Sequence, residues 1–416
     1  MQYCIFEDTS YSNFLPLVYV RPVFDLRCGV LSLREKLEAI FPSDDSILLC
    51  RSNLAPLLRE ELPDRIVNML EKKDTWFVNG RLLPNATIWK LLRTKPPGEV
   101  IYKIGKEIAL AFMKAENVRH AADTFLGGNE FPGISSQPCD GVVIQYLWDL
   151  IHHTREEIAQ DFLLVKKRKR REVKAKIRLD GAVLINKKEI LIGENSVIKP
   201  GAVLDAEAGP IVIGDYVTVM SNAVIEGPAY VGDHSIIKIG AKIYGGTSIG
   251  IHCKVGGEVE ASVIHSFSNK QHEGFLGHSY VGSWVNLGAD TNTSDLKNTY
   301  GTIRMRVNGT MVDTGQQFVG LMIGDHSKSG INTMFDTGSV IGISCNVFGA
   351  KLLPKFLPSF TWGGDGQLVE HRLEKSLETA RRVMMRRNIR LTESYENIFR
   401  EIFDTTAGER RTEGIV

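Results

Sequence analysis

Residues 213–261 read IGDYVTVMSNAVIEGPAYVGDHSIIKIGAKIYGGTSIGIHCKVGGEVEA, and an aliphatic residue or alanine recurs at every sixth position. These positions are Ile213, Val219, Ile225, Val231, Ile237, Ile243, Ile249, Val255 and Ala261. A period of six fits neither a helix, which repeats at about 3.6 residues, nor a plain alternating strand. It predicts a chain that turns by about 120° every six residues, so that three short strands close one triangular coil. Such coils stack at the spacing of strands in a sheet.

The residues between the aliphatic positions favour the same fold. Four positions after each of the first eight aliphatic residues stands a small or β-branched residue, which fits the inside of a corner. Glycine often follows the aliphatic residue, as in Ile213-Gly214 and Val231-Gly232, and glycine tolerates the backbone angles of tight turns. The alternative is a β-sandwich with chance spacing, which nine consecutive matches disfavour.

The same period continues on both sides of this stretch but is interrupted twice. It resumes downstream at Val281, Leu287, Ile323, Ser329, Phe335, Ile341 and Val347. Between Ala261 and Val281 the step is 20 residues instead of 18, which predicts that two extra residues bulge out within SFSNKQHEGFLGH at 266–278. The second interruption is residues 291–318, where alternating residues flank Asn308-Gly309, a strong hairpin signal. Interruptions of a regular scaffold commonly carry function.

The segments before the repeat have a different pattern. Residues 1–165 alternate short apolar runs, such as YCIFE and TWFVNG, with helical patterns such as NLAPLLREEL, which predicts an α/β domain. Residues 166–180 form a predicted basic linker that starts with KKRKRR. A solvated linker is favoured over a nucleic-acid patch, because the formal net charge of the chain is only +1.

The predicted β-helix spans residues 181–364 and contains the hairpin insertion at 291–318. Residues 365–416 then follow helical patterns, with an apolar stripe at Val369, Leu373, Leu377, Ala380 and Met384. Four arginines in this segment could meet phosphates, although a solvated helix face is the favoured interpretation. They are Arg381, Arg382, Arg386 and Arg387.

Composition excludes several classes of protein. The 416 residues include 50 basic and 49 acidic side chains, which argues against a general nucleic-acid binder. No apolar run reaches the roughly 18 residues that span a bilayer. The first residues, MQYCIFEDTSYSN, lack a basic region, so we expect no secretory signal. The six scattered cysteines predict reduced thiols in the cytoplasm rather than a disulfide scaffold.

His272 stands out among the ten histidines, because it lies in the predicted bulge. A neutral imidazole can accept a proton from an amine or hydroxyl near pH 7. Backbone N–H groups of neighbouring coils could stabilise the oxyanion of an acyl transfer. His278, in the same segment, is the rival candidate, and His265 and His326 are weaker ones.

The stretch SNKQHEGFLGHSYVGSWVNLGADT, residues 268–291, resembles the acetyltransferase half of the bifunctional GlmU family of left-handed β-helix acyltransferases. The family pattern is S-K-x-x-H-x-x-Y-L-G-D followed by I-G-x-x-x-N-I-G-A-G-T. The resemblance covers nearly the full chain and is closest to a divergent GlmU-like group of Bacteroidetes and related bacteria. It is strong over residues 240–364 and moderate over residues 1–40, which contain RPVFDLRCGVLSLREK.

This resemblance implies roles for residues at matching offsets. The catalytic base corresponds to His272, and an acetyl-CoA contact corresponds to Ala289. The sugar-binding residues correspond to Asn286, to Phe275 in place of a tyrosine, and to Asp295 in place of an asparagine. The phosphate-binding R-P-G-A of the family corresponds to Lys238-Ile239-Gly240-Ala241, which makes Lys238 the phosphate anchor.

In the N-terminal half, the resemblance implies a truncated nucleotidyltransferase-like domain with a Rossmann-like sheet. The nucleotide loop L-x-x-G-x-G-T-R-M of the family is missing, and Arg21, Arg27, Gly29 and Lys36 stand in a similar place. These cations could neutralise phosphates bridged by Mg²⁺. Asn79 stands where a metal-binding aspartate is expected, so the metal ligands stay unassigned. A relic domain that only stabilises a trimer or binds substrate is the alternative.

The resemblance implies two reactions in one homotrimeric, cytoplasmic enzyme. The first is transfer of acetyl from acetyl-CoA to glucosamine-1-phosphate, and the second is coupling of the product to UTP, which makes UDP-N-acetylglucosamine. One alternative is a nucleotidyltransferase for another sugar-1-phosphate, similar to long thymidylyltransferases, with the β-helix as trimerisation module. Others are an acetyltransferase with an inactive N-terminal domain and a non-enzymatic scaffold or nucleic-acid binder.

Overall fold

A computed structural model describes residues 1–41, 46–169, 178–179 and 181–415. The chain forms two compact units. The first comprises Met1–Phe14, Val18–Leu26 and Leu31–Tyr146, and the second comprises Leu15–Leu17, Arg27–Val30 and Leu147–Val416.

The division between the units differs from the sequence boundary at residue 165. The helix Leu147–Lys169 belongs to the second unit, because its apolar residues pack with the strands that follow it in the chain. This helix also contains the start of the basic run KKRKRR. The predicted linker is described only in part, since residues 170–177 and 180 lie outside the described residues.

The first unit is an α/β domain built on a seven-stranded sheet. In spatial order its strands are Ile66–Val67, Ser46–Leu49, Gln2–Phe6, Thr75–Asn79, Glu107–Met113, Val100–Ile104 and Ser136–Pro138. The helices are Leu33–Glu38, Ala55–Glu61, Ala86–Leu92 and Val118–Gly127, with 3-10 turns at Thr9–Phe14 and Val23–Asp25. A small two-stranded sheet pairs Leu82–Leu83 with Val142–Val143.

Local sequence signals explain these elements. The first apolar run forms the buried strand Gln2–Phe6. In one core cluster the Phe6 ring stacks on Phe125, and the Phe77 ring is tilted against Phe125. Ser32 begins the helix Leu33–Glu38 with a capping box, in which serine and glutamate side chains satisfy the first free amides. The strands Ser46–Leu49 and Thr75–Asn79 pair in parallel with opposite edges of Gln2–Phe6. The strand order therefore switches sides at Gln2–Phe6, as at the topological switch point of an α/β sheet.

The second unit contains a left-handed parallel β-helix with three faces. Face 1 consists of Arg178–Leu179, Val197–Ile198, Thr218–Val219, Ile236–Ile237, Lys254–Val255 and Asn269–Lys270, and continues at Lys328–Ser329, Asn346–Val347 and Thr361–Gly364. Face 2 consists of Val183–Ile185, Val203–Asp205, Val224–Glu226, Lys242–Ile243, Glu258–Glu260, Phe275–Gly277, Asn292–Thr293 and Met334–Phe335. Face 3 consists of Ile190–Ile192, Ile211–Ile213, Ala229–Val231, Thr247–Ile249, Val263–Ile264, Tyr280–Val281, Met322–Ile323, Val340–Ile341 and Phe356–Leu357. A 3-10 turn, Lys187–Glu189, precedes the first strand of face 3.

With the exception of Ala261, the residues of the predicted ladder between 213 and 261 lie in the core of this prism. Ile213, Val231 and Ile249 are fully buried and pair with one another at intervals of 18 residues. The small residues four positions later in the ladder, such as Ala223 and Ala241, are also fully buried. Each coil thus removes several aliphatic side chains from water, at roughly 1.5–3 kcal/mol for each fully buried side chain. The fold that the sequence predicts is confirmed.

The first interruption of the ladder has a different cause from the one expected. Ile249 pairs with Ile264, only 15 residues later, so this coil is shortened. The tight turn Gly256-Gly257 replaces a longer corner, and Ala261 lies at a turn with φ 41° rather than inside the prism. The next coil keeps six residues between the inward-pointing Lys270 and Leu276. The prediction of a two-residue bulge at 266–278 is therefore wrong, because the period was counted through a shortened coil.

The second interruption is an excursion of the chain between faces 2 and 3. The face 2 strand Asn292–Thr293 is followed by the face 3 strand Met322–Ile323, and the residues between these two strands leave the regular winding. Arg304–Val307 and Thr310–Asp313 form an antiparallel hairpin around Asn308 and Gly309, which both have positive φ. This turn lies where the sequence predicts it.

After the last coil the chain makes one more strand before it becomes helical. Gln367–Glu370 pairs antiparallel with Thr361–Gly364, so Val369 lies on a strand and not on the predicted apolar helix stripe. The helices are Leu373–Met385, Glu393–Thr405 and Ala407–Thr412. Across the described parts of the chain, none of the helices is both long and apolar enough to cross a bilayer.

Candidate functional site

The first corner, the turn from face 1 to face 2, carries His272 on an open surface. Gly257, His272 and Ala289 occupy the same position in three successive coils. Each comes two residues after the buried residue of its face 1 strand, which is Val255, Lys270 or Leu287. The next coils on either side place the exposed side chains of Ile239 and Ile331 there. His272 is exposed and stands between two residues with almost no side chain. A small notch therefore opens on both sides of the imidazole, bounded by isoleucines.

Backbone hydrogen bonds hold the stacked corners together. The amide of Asp290 donates to the carbonyl of Glu273 at 3.1 Å, and the amide of Asn332 donates to the carbonyl of Ala289 at 2.8 Å. Among the described residues, the imidazole of His272 makes no hydrogen bond or ion pair with another side chain. Both ring nitrogens are thus available to a ligand.

Lys270 supports this corner from inside the prism. Its side chain is 3% exposed, and its ammonium donates to the carbonyls of Gly256 and His272, both at 2.9 Å. Burial lowers the pKa of Lys270 to about 8, while Glu273 and nearby acids oppose the shift. Gly257 makes room, since a Cβ there would lie 2.8 Å from the Lys270 Nζ and 2.7 Å from the His272 carbonyl oxygen.

Lys238 and Asn286 lie near the same corner. A Cβ at Gly256 would lie 2.9 Å from the Cβ of Lys238 and 2.7 Å from the carbonyl oxygen of Gln271, so the missing side chain leaves space for Lys238 beside the His272 turn. Asn286 continues face 1 through bridges to Asn269 and Lys328. The structure thus gathers Lys238, His272 and Ala289 along one corner, with Asn286 on the adjoining face.

Phe275 and Asp295 lie on face 2, towards the second corner, which leads from face 2 to face 3. A Cβ at Gly277 would meet both the Phe275 ring and the Asp295 carboxylate, so the glycine brings them together. The second corner carries His278, whose Nδ1 lies 2.8 Å from Oδ2 of Asp295. The Phe318 ring stacks on His278 at 5.1 Å. Asp295 therefore fixes the rival histidine.

The other candidate histidines have structural partners. His265 Nδ1 lies 3.2 Å from Oγ of Ser283. His326 is 3% exposed, and its Nε2 lies 3.1 Å from the Tyr395 hydroxyl. The His326 imidazole is thus buried, and the His265 imidazole is held by a neighbouring coil.

The structure divides the predicted nucleotide-binding residues between the two units. Arg27 and Gly29 belong to the second unit, where the Tyr280 hydroxyl bonds the backbone of Arg27 and the Ser248 hydroxyl donates to the Gly29 carbonyl. Arg21, Lys36 and Asn79 belong to the first unit. Lys36 is 1% exposed, and the Asn79 amide bonds Asp8, Ile108 and the Arg81 amide.

A polar cluster that sequence reasoning missed follows the parallel strands Gln2–Phe6 and Thr75–Asn79. The buried Arg81 guanidinium donates to Asp8 at 2.6 Å and also contacts Glu107. Glu7 accepts from the Arg51 Nε at 2.8 Å. The acid pair Glu7-Asp8 directly after the first apolar run was the available signal, because ligands bind at the carboxyl ends of parallel strands.

The expected divalent metal does not fit the residues as they lie. Within the described ranges, no three side chains of the His, Cys, Asp and Glu types form a group that could hold a metal ion. Asn79 already uses both ends of its amide, and Asp8 is paired with Arg81. The side chains nearest to the expected metal position therefore bind one another instead.

Comparison with known proteins finds relatives for both halves of the chain, and the N-terminal match includes the helix Leu147–Lys169 of the second unit. A family model described as sugar nucleotidyl transferase matches residues 3–170. A bifunctional sugar-1-phosphate nucleotidylyltransferase/acetyltransferase of Sulfurisphaera tokodaii is 31% identical over 97 residues, which are 23% of this chain and 24% of that protein. The bifunctional protein GlmU of Methanocaldococcus jannaschii is 28% identical over 105 residues, which are 25% and 26% of the two chains.

A further relative is matched over most of its own length. The uncharacterized acetyltransferase YaiX of Escherichia coli is 32% identical over 178 residues, which are 42% of this chain and 77% of YaiX. The chain belongs to the GlmU-like family of transferases. This GlmU-like chain spans about a quarter of the length of the bifunctional relatives that it matches. A UDP-N-acetylglucosamine acyltransferase structure from Francisella novicida is 16% identical, with a TM-score of 0.31, over 57% of this chain and 85% of that one.

Proposed function

We propose that the β-helix transfers acetyl from acetyl-CoA to the amine of glucosamine-1-phosphate, with His272 as the general base. Lys238 binds the phosphate, and Asn286 orients the sugar. The backbone at Ala289 contacts the thioester end of acetyl-CoA. Phe275 and Asp295 line the sugar side of the site on face 2.

The chemistry follows from the exposed imidazole of His272. The sugar amine attacks the thioester carbonyl, a C–N bond forms, and the C–S bond breaks as the tetrahedral intermediate collapses. His272 accepts the proton from the attacking amine and returns it to the departing CoA thiolate, so charge and protons balance. Backbone N–H groups of the corner can stabilise the oxyanion.

The notch at the first corner is the observation that carries this proposal. An exposed imidazole between Gly257 and Ala289 leaves room for two substrates to approach the same nitrogen. Lys270 holds the carbonyl of His272 from below, so the corner presents the imidazole on a fixed backbone. A rigid element positions a catalytic group better than a mobile loop does.

The test is release of free CoA thiol by the full-length chain with glucosamine-1-phosphate. We expect His272→Ala to lower kcat by about 10²–10⁴-fold, the usual contribution of a general base. His120→Ala is the matched control, because it removes an exposed histidine from the first unit. Wild-type activity in His272→Ala would remove the assignment.

We further propose that the first unit couples N-acetylglucosamine-1-phosphate to UTP. The sugar phosphate oxygen attacks the α-phosphate of UTP, and pyrophosphate leaves. Arg21 and Lys36 of the first unit are the proposed phosphate contacts, and Asn79 ends the strand Thr75–Asn79 of the same unit. The match of residues 3–170 to the sugar nucleotidyl transferase family supports this half of the function.

Pyrophosphate release distinguishes this reaction from the alternatives. UTP with N-acetylglucosamine-1-phosphate should release pyrophosphate faster than dTTP with glucose-1-phosphate. The opposite order would favour the thymidylyltransferase-like alternative. No release with either pair, together with CoA release, would leave an acetyltransferase with an inactive N-terminal unit.

We propose a homotrimer in the cytoplasm as the working form. All six cysteines are free thiols, five of them buried, which suits a reducing compartment. The flat outer faces of the β-helix offer surfaces for two further copies. Analytical ultracentrifugation of the purified chain at micromolar concentration measures the mass of the assembly. We expect the mass of three chains, and a monomer would contradict the proposal.

A further inference from the structure

The segment that carries Arg21 is held in place by the side chain of Arg51. Residues 18–22 form neither a helix nor a strand, and the 3-10 turn Val23–Asp25 follows them. The Arg51 Nη2 donates to the carbonyl of Val18 at 2.6 Å and to the carbonyl of Arg21 at 3.2 Å. A single guanidinium thus binds both ends of the stretch 18–21, which we call the Arg21 turn.

Glu7 binds the residues that follow this turn. Its carboxylate accepts from the Val23 amide at 2.8 Å and from the Arg51 Nε at 2.8 Å. Glu7 is 1% exposed and directly follows the strand Gln2–Phe6, and Arg51 lies two residues after the strand Ser46–Leu49. The Glu7–Arg51 pair therefore fixes the Arg21 turn to the carboxyl ends of two parallel strands, where α/β sheets bind their ligands.

The guanidinium of Arg51 is also packed on its flat face. Its Cζ lies 3.8 Å from the centre of the Tyr11 ring, which belongs to the 3-10 turn Thr9–Phe14. The ring covers the face of the guanidinium, while the N–H groups at its edge make the hydrogen bonds. Because a lysine offers a point charge and no planar set of donors, it could not make all of these contacts at once.

A second ion pair of the first unit shows that charge pairing alone does not require such contacts. Arg65 donates to the Glu38 carboxylate from Nε at 3.0 Å and from Nη2 at 3.3 Å. Within the ranges that the structure describes, Arg65 binds no carbonyl of residues 18–21. The Arg65 side chain is 32% exposed, against 16% for Arg51. The Glu7–Arg51 pair is thus the more buried of the two and the one that holds the Arg21 turn.

We propose that Glu7 and Arg51 are positioning residues for the nucleotide, because they fix the turn that presents Arg21 to its triphosphate. Both act through the backbone of the Arg21 turn rather than by touching the nucleotide. A phosphate-binding side chain contributes most when its backbone is already fixed, since less conformational freedom is then lost on binding. This inference rests on the proposed role of Arg21 in uridylyl transfer.

The test is a double-mutant cycle on the full-length chain, with the dissociation constant for UTP from isothermal titration calorimetry as the readout. We expect Arg21→Ala and Arg51→Lys each to weaken UTP binding by about tenfold, as for the loss of a hydrogen bond to a charged group. The double variant should also be only about tenfold weaker, since Arg51 acts through Arg21. Independent effects would multiply to about a hundredfold and would overturn the proposal.

Two further variants control this cycle. Arg65→Lys makes the same substitution in the other ion pair and should leave the affinity for UTP unchanged. An equal loss in Arg65→Lys would mean general destabilisation of the first unit and would also overturn the proposal. Glu7→Gln repeats the cycle from the other side of the pair, because glutamine keeps an acceptor for the Val23 amide but loses the ion pair. It decides the question if Arg51→Lys does not fold.

Amide hydrogen exchange measures the Arg21 turn directly. Residues 18–25 should exchange at least about tenfold faster in Arg51→Lys than in the wild type or in Arg65→Lys, because the turn loses the side chain that holds its carbonyls. Unchanged exchange in Arg51→Lys would show that the pair does not hold the turn, and would overturn the proposal.

Pyrophosphate release separates this proposal from the proposed function. A chain that binds UTP with a non-additive cycle, but releases no pyrophosphate with N-acetylglucosamine-1-phosphate, would contradict uridylyl transfer alone. Pyrophosphate release with an additive cycle would contradict the positioning role alone. In the active chain, Arg51→Lys should raise KM for UTP about tenfold and change KM for the sugar phosphate less than about twofold, which a general loss of structure would not do.

Discussion

The two corners at the edges of face 2 each carry a histidine, but they treat it differently. At the first corner, His272 is exposed and stands between Gly257 and Ala289. At the second corner, His278 is held by Asp295 and covered by Phe318. The first corner keeps a ring free and fixes only its backbone, through Lys270. The second corner fixes the ring itself.

This difference shows how a β-helix can prepare a histidine for either role. The coil before the first corner is shortened, and its turn Gly256-Gly257 packs against the backbone of the His272 turn. An excursion of the chain after the second corner brings Phe318 over His278. Removal of residues opens a surface, and insertion of residues covers one. The predictions below test whether activity follows the open corner.

Filling the notch at the first corner should have the largest effect. A Cβ at Gly257, where φ is +68°, would lie 2.7 Å from the His272 carbonyl oxygen, so Gly257→Ala must displace the corner. We expect acetyl transfer to fall by about 10²-fold, since a displacement of about 1 Å can cost that much. Steady-state CoA release measures this.

Gly309→Ala is the matched control for that change. Gly309 is the turn glycine of the hairpin 304–313, with φ +78° and open space where a Cβ would lie. Both variants strain the backbone alike, but only Gly257→Ala disturbs His272. Equal losses of activity in the two variants would mean that backbone strain, and not the notch, controls the reaction.

Removing the ammonium beneath the first corner should have an intermediate effect that depends on pH. Lys270→Met leaves the carbonyls of Gly256 and His272 without their donor, and we expect roughly tenfold slower acetyl transfer at pH 7. The pKa of Lys270 is about 8 in the folded chain and 10.5 for an ordinary lysine. Between these values the unfolded chain binds more protons, so the wild type gains stability relative to Lys270→Met as pH rises.

Urea denaturation at pH 8 and pH 10 measures this gain. We expect the difference in unfolding free energy between wild type and Lys270→Met to increase by about 2 kcal/mol over that interval. Lys328, whose pKa is also lowered to about 8, is present in both chains and cancels. Lys242→Met is the control, because that ammonium lies on the outer surface beside Glu258. A constant difference would show that folding does not lower the pKa of Lys270.

Changing the second corner should affect activity least. His278→Asn keeps a residue that tolerates the positive φ of 42° at this turn but removes the imidazole bound to Asp295. We expect a loss of about 1–2 kcal/mol of unfolding free energy, typical of a charge-assisted hydrogen bond, and less than about threefold slower CoA release. A fall in kcat as large as that of His272→Ala would move the catalytic base to the second corner.

Sequence periodicity was sufficient for most of the fold, because inward and outward positions alternate by a local geometric rule. Val219, Ile225 and Ile237 are fully buried as the ladder predicts. The rule failed where coil length changes, as between Ile249 and Ile264, since a periodic count cannot tell a shortened coil from a later insertion. It also missed Lys270 as an inward residue, because a lysine does not match an aliphatic pattern.

The candidate site was predicted unevenly for a similar reason. His272 was selected from a predicted bulge that the structure does not contain and from the family resemblance. The structure places it on an exposed corner, with Lys238 and Ala289 along the same corner. The contact of Arg51 with the Arg21 carbonyl joins residues 30 positions apart, which no local pattern contains. The pairing of His278 with Asp295 likewise depends on how two coils stack.

The sequence by itself determined the three-sided winding and the α/β character of the first unit, because both depend on which residues within a few positions of each other are apolar. Only the tertiary structure decided which histidine is free and which is held. It also decided that Glu7 and Arg51, which follow different strands, bind one turn between them. Those properties depend on distances between residues far apart in the chain, and packing sets these distances.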